Sequence, residues 1–254
     1  MKNLSGKSAI ITGASRGIGA ATAYELAKKG MCVVLFARNE NEINNHADAI
    51  IREGGKALAV SGDVSKFEDL ARAVDHCQEA FGSVDVLVNN AGLIEPIARI
   101  AQSDPEEWAR VADVNYKGVY FGMRAVLPIM EKQQAGTIIN ISSGAATGAL
   151  EGWSHYCSSK AAVLSLTRCG HKEYGDKGIH VVGLSPGTVA TDMQVTIRTS
   201  GVNPVSQLDP SVHISSQWVA RAIAWLCAEG AEEFAGDDFS IKTEEGRRRV
   251  GLID

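Results

Sequence analysis

Short apolar runs alternate with longer segments of helical periodicity along the whole chain, and this alternation restricts the possible folds most strongly. The runs over 32–36 and 86–88 contain no polar residue, which is typical of strands covered on both faces. Seven strands are predicted, at 8–11, 31–36, 57–60, 84–88, 137–141, 180–184 and 239–241. Helices are predicted between them, at 17–29, 41–53, 66–81, 114–131, 155–174 and 217–228. This order predicts an α/β fold: a doubly wound Rossmann domain with a parallel seven-stranded sheet and helices on both faces.

The domain organisation is expected to be simple. The sequence has no internal repeat and no linker rich in Pro, Gly or Ser, so one domain is predicted over 1–254. The least regular segment is 188–216, which contains Gly201, Pro204 and Pro210. A long loop in a compact domain is usually functional, often a lid, and disorder is the alternative interpretation.

Composition and charge argue against several classes of partner. The 25 basic and 30 acidic side chains give a net charge of -5, without the basic excess typical of nucleic-acid-binding proteins. No stretch reaches the ~18 apolar residues of a membrane span, and residues 1–7 include no apolar signal-peptide core. The five cysteines form no C-x-x-C pair and are interpreted as reduced thiols. A cytoplasmic protein without nucleic-acid or membrane partners is expected, and no metal is assigned because no cluster has ligand spacing.

Three glycines lie where the first predicted strand turns into an Ala-rich helix. Gly13, Gly17 and Gly19 form the pattern G-x-x-x-G-x-G. Glycine allows a tight turn, a close approach of the backbone to a pyrophosphate, and close packing of helix on sheet, while free N–H groups at the helix start attract the anion. This context predicts a dinucleotide site, and a merely tight turn is the alternative.

The glycine spacing and five further motifs resemble the short-chain dehydrogenase/reductase family in its single-domain form. The motifs appear in the family's order: the glycine turn, Asn89-Asn90-Ala91-Gly92, Asn115 in a helix, Ser143, Tyr156-x-x-x-Lys160 and Pro186-Gly187. Each motif alone is a weak signal, but six in the right order along nearly the whole chain are specific.

The resemblance implies an NAD(P)-dependent oxidoreductase that transfers a hydride between C4 of a nicotinamide and a carbonyl or secondary alcohol carbon. Tyr156 is implied to give or take the proton, and Ser143 to orient and polarise the oxygen. Lys160 is implied to serve the phenol and the nicotinamide ribose, and Asn115 to hold a water in a proton relay. The implied cofactor-binding residues are Gly13, Ser15, Arg16, Gly17, Ile18, Gly19, Arg38, Asp63, Val64, Asn90, Ala91, Gly92, Tyr156, Lys160, Pro186, Gly187, Val189 and Thr191.

The spacing of these side chains supports part of this chemistry directly. Tyr156 and Lys160 are four residues apart in a predicted helix and therefore share one face. An ammonium at ~4 Å would favour the phenolate by about 4 kcal/mol, on the order of three pKa units. We therefore expect a lowered pKa for Tyr156; an unrelated surface pair is the alternative. Ser143 leaves a strand at its C-terminal end, where its hydroxyl can donate to a carbonyl, whereas a turn-capping role would suit Ser142 better.

The end of the second predicted strand indicates the cofactor. Residues 35–39 include no Asp or Glu that could accept hydrogen bonds from an adenosine ribose, but they include Arg38. A guanidinium matches a 2′-phosphate bidentately, and Arg16 in the glycine turn could supply a second charge. NADP is therefore expected and NAD is less favoured. In these residues the chain most resembles 3-oxoacyl-carrier-protein reductase members of the family.

The sequence departs from the family pattern at two places. Val182 stands where the family often has Asn, and 239–249 replaces its usual V-D-G-G ending. The core fold should survive both changes, while the tail is expected to alter subunit packing or the substrate entrance. The basic run 247–249 is interpreted as the end of a solvated helix. Family members are commonly dimers or tetramers, so a homo-oligomer is expected; a helix buried within a monomer would explain the apolar run 161–166 equally well.

The substrate is expected to be a small carbonyl or alcohol. Its pocket is predicted from 93–96, 144–153 and 188–216, which are mostly apolar and carry no charged anchor. The runner-up function is an NAD-dependent dehydrogenase of a sugar, polyol or steroid hydroxyl. A redox sensor that binds the dinucleotide without turnover is the alternative from another class, disfavoured because Ser143, Tyr156 and Lys160 are all present.

Overall fold

Seven parallel strands form the centre of the molecule. The computed structural model describes residues 3–254. Met1 and Lys2, which belong to the segment 1–7 where no signal-peptide core is predicted, lie outside the described residues. The strands are β1 Ser8–Thr12, β2 Cys32–Ala37, β3 Lys56–Ser61, β4 Val86–Asn89, β5 Gly136–Ile141, β6 Ile179–Ser185 and β7 Asp238–Ser240. They pair in the order β3-β2-β1-β4-β5-β6-β7, all parallel. The predicted doubly wound α/β fold is confirmed.

Helices connect the strands and cover the sheet. They are α1 Gly17–Lys28, α2 Glu40–Arg52, α3 Phe67–Phe81, α4 Pro105–Ala112, α5 Gly118–Gln133, α6 Ser154–Tyr174, α7 Asp192–Ser200, α8 Ser216–Trp225 and α9 Glu244–Arg249. The predicted helix over 114–131 begins as a π-helical turn, Asp113–Lys117, that leads into α5. No helix within residues 3–254 is long and apolar enough to cross a membrane.

The apolar strands are buried on both faces because alternate side chains point to opposite sides of a sheet. In β2, Val33 and Leu35 belong to the buried cluster that also includes residues of α1, α2 and α8. Val34 and Phe36 belong to the opposite cluster, which includes residues of α3 and α5. The absence of polar residues in β2 follows from this two-sided packing.

The topology also places the functional edge of the sheet. The chain runs outward from β1 to β2 and β3 on one side, and to β4 and β5 on the other. A crevice therefore opens at the C-terminal ends of β1 and β4, where open α/β sheets bind their ligands.

The segment 188–216 is more regular than the sequence suggested. It contains α7 and the short 3-10 turns Pro204–Gln207 and Pro210–Val212, so the expectation of a loop without regular structure was wrong. The helix is hard to recognise because only Ile197 among its residues is buried, which leaves almost no apolar periodicity. The short α4 was also not predicted, and it too has a single buried residue, Val111.

The C-terminal tail folds back on α8. Arg221 donates to the carbonyl of Gly251 at 2.6 Å, and the Arg247 guanidinium lies 5.6 Å from the centre of the Trp218 ring. The basic run 247–249 ends α9, as the sequence suggested, and Arg248 pairs with Glu244 one turn earlier.

Candidate active site

The glycine turn between β1 and α1 is packed too closely for any larger residue. Gly13 has φ +66°, and a Cβ there would lie 2.9 Å from the Cα of Ala91. Gly17 has φ +57° and would meet the Thr191 side chain at 3.3 Å, while a Cβ on Gly19 would overlap the carbonyl oxygen of Gly13. Only glycine therefore allows the backbone of this turn to pack so closely. The free N–H groups in the first turn of α1, which follows it directly, form an anion site.

Asn90 and Thr12 hold this turn against the end of β4. The Thr12 hydroxyl accepts from the backbone N–H of Asn90 at 2.9 Å and of Ala91 at 3.1 Å. The Asn90 side-chain amide donates to the carbonyl of Thr12 at 2.9 Å and to that of Gly13 at 3.3 Å. The side chain of this predicted cofactor-binding residue thus braces the turn, and the segment Asn90, Ala91 and Gly92 lines its side.

A second brace reaches the turn from α2, and the sequence did not reveal it. His46 lies with Nε2 3.1 Å from the carbonyl oxygen of Ser15 and Nδ1 3.2 Å from the hydroxyl of Tyr24. The two rings meet edge to face with centroids 5.6 Å apart. A lone histidine in a polar helix carries no signal of this contact, because Ser15 is distant in sequence.

The two predicted phosphate-binding arginines differ in their surroundings. Arg38 follows directly after β2 at the C-terminal edge of the sheet and is exposed. Arg16 is also exposed, but its guanidinium pairs with Asp192, the first residue of α7, at 2.9 Å. Of these two arginines, Arg38 has no described ion pair among residues 3–254, whereas Arg16 links the glycine turn to α7.

The other predicted cofactor residues lie around the same edge. Asp63 accepts from the N–H and hydroxyl of Ser65 at 3.0 and 2.8 Å, so its carboxylate also shapes the turn after β3. Val64 is buried against Gly118. The remaining predicted residues lie at the start of α1 or between β6 and α7: Ile18, Pro186, Gly187, Val189 and Thr191.

A buried polar network fixes α6 against the sheet. The Asn89 amide of β4 donates to the Asn140 oxygen of β5 at 2.9 Å, and the Asn140 amide donates to the Thr167 hydroxyl of α6 at 2.9 Å. Thr167 in turn donates to the carbonyl of Val163 at 2.9 Å. All three side chains are buried, so the network sets the position of the helix that carries Tyr156 and Lys160.

Tyr156 and Lys160 share one face of α6, as their spacing predicts. The Lys160 Nζ lies 5.7 Å from the centre of the Tyr156 ring and donates to the carbonyl of Ile141, at the end of β5, at 2.6 Å. Ser143 follows β5 two residues later. The structure thus brings three of the four predicted catalytic side chains, Ser143, Tyr156 and Lys160, to one corner of the cleft.

The expected lowering of the Tyr156 pKa is wrong for the protein alone. Burial raises the pKa of Tyr156 to about 12, while the nearby Ser143 hydroxyl acts in the opposite direction. The Lys160 ammonium is directed at the Ile141 carbonyl rather than at the phenol, so it does not offset the lost solvation of a phenolate. Burial also lowers the pKa of Lys160 to about 8.

The capping role that the sequence favoured for Ser142 belongs to Ser143. Ser143, not Ser142, caps the short 3-10 turn after β5, because its hydroxyl accepts from the N–H of Ala145 at 3.2 Å. Ser142 instead donates to Asp238 of β7 at 2.5 Å. A serine that accepts through one lone pair can still donate its proton, so the cap is compatible with a substrate contact by Ser143.

Asn115 is buried inside the π-helical turn before α5. Its side-chain oxygen accepts from the N–H of Leu93 at 2.7 Å, and its amide donates to the carbonyl of Leu93 at 2.8 Å. Both bonds go to one backbone unit, so Asn115 fixes the segment after Gly92 at the mouth of the cleft. π-helical turns are frequent at functional sites.

Three segments meet beside Tyr156, as the predicted pocket requires. Ile94, Trp153 and Ile197 form a small buried apolar cluster with which the Tyr156 ring packs. The Trp153 and Tyr156 rings meet edge to face with centroids 5.5 Å apart. The adjoining groove between residues 95–97 and α7 is more polar than predicted, since Glu95, Thr196, Thr199 and Ser200 line it.

The glycine turn offers the close backbone approach that a dinucleotide pyrophosphate needs, and the partly buried Tyr156 and the buried Lys160 lie at the same edge of the sheet. This geometry fits a nicotinamide dinucleotide. Among residues 3–254, no group of three or more His, Cys, Asp or Glu side chains is placed to hold a metal ion.

Comparison with known proteins agrees with the fold and identifies the family. The profile of the short chain dehydrogenase family matches residues 7–201. A 3-oxoacyl-[acyl-carrier-protein] reductase of Synechocystis is 34% identical, with 95% of this chain and 97% of the relative covered. A 3beta-hydroxysteroid dehydrogenase 1 of Eggerthella lenta is 36% identical, with 92% and 91% covered. The crystal structure of the KRED1-Pglu enzyme superposes with a TM-score of 0.84 at 31% identity, covering 91% of this chain and 99% of that one.

The fold and site define a nucleotide-binding oxidoreductase of the Rossmann type. The chain belongs to the short-chain dehydrogenase/reductase family, whose members use nicotinamide cofactors.

Proposed function

We propose that this protein is an NADPH-preferring oxidoreductase that reduces a carbonyl to a secondary alcohol, or runs the reverse reaction, with Tyr156 as the acid or base. The proposal is carried by one observation: Tyr156, Lys160 and Ser143 converge at the sheet edge beside the glycine turn. When bound, the nicotinamide supplies or accepts the hydride at C4.

The residues of the chain divide the remaining work. Gly13, Gly17 and Gly19 let the pyrophosphate approach the start of α1, and Arg38 pairs with the 2′-phosphate. Ser143 donates a hydrogen bond to the substrate oxygen. With a pKa of about 12, Tyr156 is protonated at neutral pH, which is the form that gives a proton to a developing alkoxide.

Lys160 and Asn115 support the proton transfer by Tyr156. Lys160, protonated below its pKa of about 8, places a positive charge near the phenol and within reach of a nicotinamide ribose. Asn115 fixes the segment after Gly92 and holds the proposed relay water. The protonated phenol favours the reductive direction at neutral pH, whereas oxidation requires the phenolate.

The substrate is proposed to be a small molecule with a carbonyl or a secondary alcohol. The names of the relatives include a 3-oxoacyl-[acyl-carrier-protein] reductase, a glucose 1-dehydrogenase 2 of Bacillus subtilis that is 35% identical, and a 3beta-hydroxysteroid dehydrogenase 1. The apolar cluster around Trp153 suits an uncharged substrate.

A second candidate is an NAD-dependent dehydrogenase of a sugar, polyol or steroid hydroxyl. One observation favours it: Arg16 is engaged by Asp192, which leaves a 2′-phosphate with one arginine rather than two.

The test is initial-rate oxidation of NADPH and of NADH with acetoacetyl thioesters, ketoses, quinones, aldehydes and ketosteroids. We expect turnover with at least one class, and NADPH to exceed NADH in kcat/KM by about tenfold or more, as one charge-assisted contact provides. A preference for NADH would support the second candidate. Tight cofactor binding without turnover would support a redox sensor.

We further propose that the protein is one domain that assembles into a homodimer or homotetramer in the cytoplasm. Tyr116 and Tyr120, next to and within α5, are exposed aromatic side chains that a second copy could cover. The cysteines are free, which suits a reducing compartment. A single species at monomer mass in light scattering would contradict the assembly.

A further inference from the structure

Asp238 has no role in the proposed reaction, yet it lies next to the residues that do. It is the first residue of β7 and is paired in register with Gly183 of β6. Its Oδ2 accepts the hydroxyl proton of Ser142 at 2.5 Å. Its Oδ1 is buried and has no hydrogen-bond partner among the described residues. A carboxylate with one buried oxygen left unpaired lowers the stability of the fold, so a role for Asp238 is expected.

The absence of a side chain at Gly183 provides the space for this carboxylate. A Cβ on Gly183 would overlap Oδ1 of Asp238. Any residue other than glycine at 183 would displace the carboxylate, so glycine in β6 and aspartate in β7 form a matched pair. Gly183 lies in the middle of a buried strand, where glycine otherwise weakens packing.

Through Ser142 the carboxylate is connected to the catalytic corner. Ser142 lies between Ile141, whose carbonyl accepts from Lys160 at 2.6 Å, and Ser143. The position of this short segment therefore sets both the acceptor of Lys160 and the origin of the Ser143 hydroxyl. Lys160 is buried, and its described acceptor is an uncharged carbonyl. A buried ammonium needs a negative charge nearby.

We propose that Asp238 is a positioning residue for Lys160 and Ser143: its carboxylate fixes residues 141–143 through Ser142 and supplies the negative charge that keeps the buried Lys160 protonated. The inference rests on the proposed function, because that function assigns Lys160 its role. The coupling between the two charges can nevertheless be measured without cofactor or substrate.

The electrostatics agree with the geometry. Burial lowers the pKa of Lys160 to about 8, and the Asp238 carboxylate acts against that decrease. Burial likewise raises the pKa of Asp238, and the Lys160 charge acts against that increase. Asp237 and Arg168 also act on Asp238, but they pair with each other at 3.3 Å at the surface.

The test is the free energy of unfolding of the cofactor-free protein between pH 6.5 and 9.5, from denaturant titrations. Lys160 has a pKa of about 8 in the native protein and about 10.4 when unfolded. For Lys160 the unfolded chain binds more protons between these values, so its contribution to stability rises with pH. Burial raises the pKa of Cys77 to about 11 and that of Cys227 to about 12, which acts in the opposite direction but equally in all variants, so the rise is taken as the difference from Lys160→Met. In Asp238→Asn the native pKa of Lys160 falls further, and the rise should begin about one pH unit lower, the effect expected of one nearby opposite charge.

Two control experiments make this result specific. In Lys160→Met the rise should be absent, and the additional Asp238→Asn change should leave the pH dependence of stability unaltered, because the titrating group is gone. Asp237→Asn, which removes the neighbouring surface carboxylate, should leave the onset where it is in the wild type. An unmoved onset in Asp238→Asn, or an equal shift in the Lys160→Met background, would overturn the proposal.

Gly183→Ala provides a second route if Asp238→Asn does not fold. It keeps the carboxylate charged but displaces it, so the onset should move in the same direction by a smaller amount. An unmoved onset in this variant would count against the proposal.

A kinetic measurement separates this inference from the proposed function. With NADPH and the best carbonyl, the high-pH decrease in kcat should begin about one pH unit lower in Asp238→Asn, with KM unchanged. A kcat that falls equally at all pH values, with no shift of the high-pH decrease, would contradict the inference. If the wild type turns over no carbonyl while the unfolding shift is present, the proposed function fails and the coupling of Asp238 to Lys160 stands.

Discussion

The two sides of the cleft, which we propose bind cofactor and substrate and call the cofactor side and the substrate side, are built in different ways. On the cofactor side, the turn after β1 is held by backbone contacts, with Gly13 against the Cα of Ala91 and Gly19 against Gly13 itself. On the substrate side, contacts between side chains hold the segments together, both in the small buried apolar cluster beside Tyr156 and at the surface. The Arg99 and Glu151 pair at 2.6 Å joins two of them, although these side chains are 70% and 49% exposed.

This difference separates what the fold requires from what it leaves open. Backbone packing fixes the cofactor cleft, so few substitutions there are compatible with binding. Exposed ion pairs contribute little to stability, and Val195 of α7 is 66% exposed, so the substrate side can change without disturbing the sheet. Relatives of 34–36% identity with such different names as acyl-carrier-protein reductase and hydroxysteroid dehydrogenase fit this division.

The sharpest test of the comparison places one substitution on each side. Gly19→Ala pushes a methyl group into the Gly13 carbonyl and should weaken NADPH binding on the order of 100-fold, as misplacement by about 1 Å can do. Gly144→Ala adds the same methyl group where nothing lies within 4 Å, so its cofactor affinity should stay near that of the wild type. Fluorescence titration with NADPH measures both, and equal losses would contradict the comparison.

Two buried asparagines extend the comparison to stability. Asn140→Ala leaves Asn89 and Thr167 without their partner between the sheet and α6, and should cost about 2–3 kcal/mol in the free energy of unfolding. Asn203→Ala removes a bond to the carbonyl of Glu151 and the cap of the 3-10 turn Pro204–Gln207, and should cost about 1–2 kcal/mol. Urea denaturation of both variants measures these losses in the free energy of unfolding, and a larger loss for Asn203→Ala would contradict the comparison.

A smaller effect concerns cofactor choice on the rigid side. Arg38→Ala removes the proposed partner of the 2′-phosphate and should raise the Kd for NADPH about tenfold, while that for NADH changes little. Arg16→Ala is the matched variant: because Arg16 is paired with Asp192, its effect on NADPH should be smaller. If Arg16→Ala had the larger effect, the phosphate would be held by the glycine turn and not by the end of β2.

The sequence predicted the cofactor side better than the substrate side, for a physical reason. Strands buried on both faces and a glycine turn leave local signals, so all seven strands were located to within a few residues. The helix α7 has only Ile197 buried and left almost no signal.

The site residues illustrate the same limit. The spacing of Tyr156 and Lys160 placed them on one face, but the direction of the Tyr156 pKa depends on burial and on the Ile141 carbonyl that Lys160 contacts. Asp238 approaches Ser142 across 96 residues, and only the order of strands in the sheet reveals that contact.

The central claim is that the cofactor side binds while Tyr156 performs the chemistry, and one variant tests it most directly. Tyr156→Phe, measured for NADPH affinity and for carbonyl reduction in the same preparation, should keep the Kd within about threefold and lose about 10²- to 10⁴-fold in kcat, the contribution of a positioned acid. Tyr174→Phe, on the same helix, should change neither. Near-normal turnover in Tyr156→Phe would contradict the account.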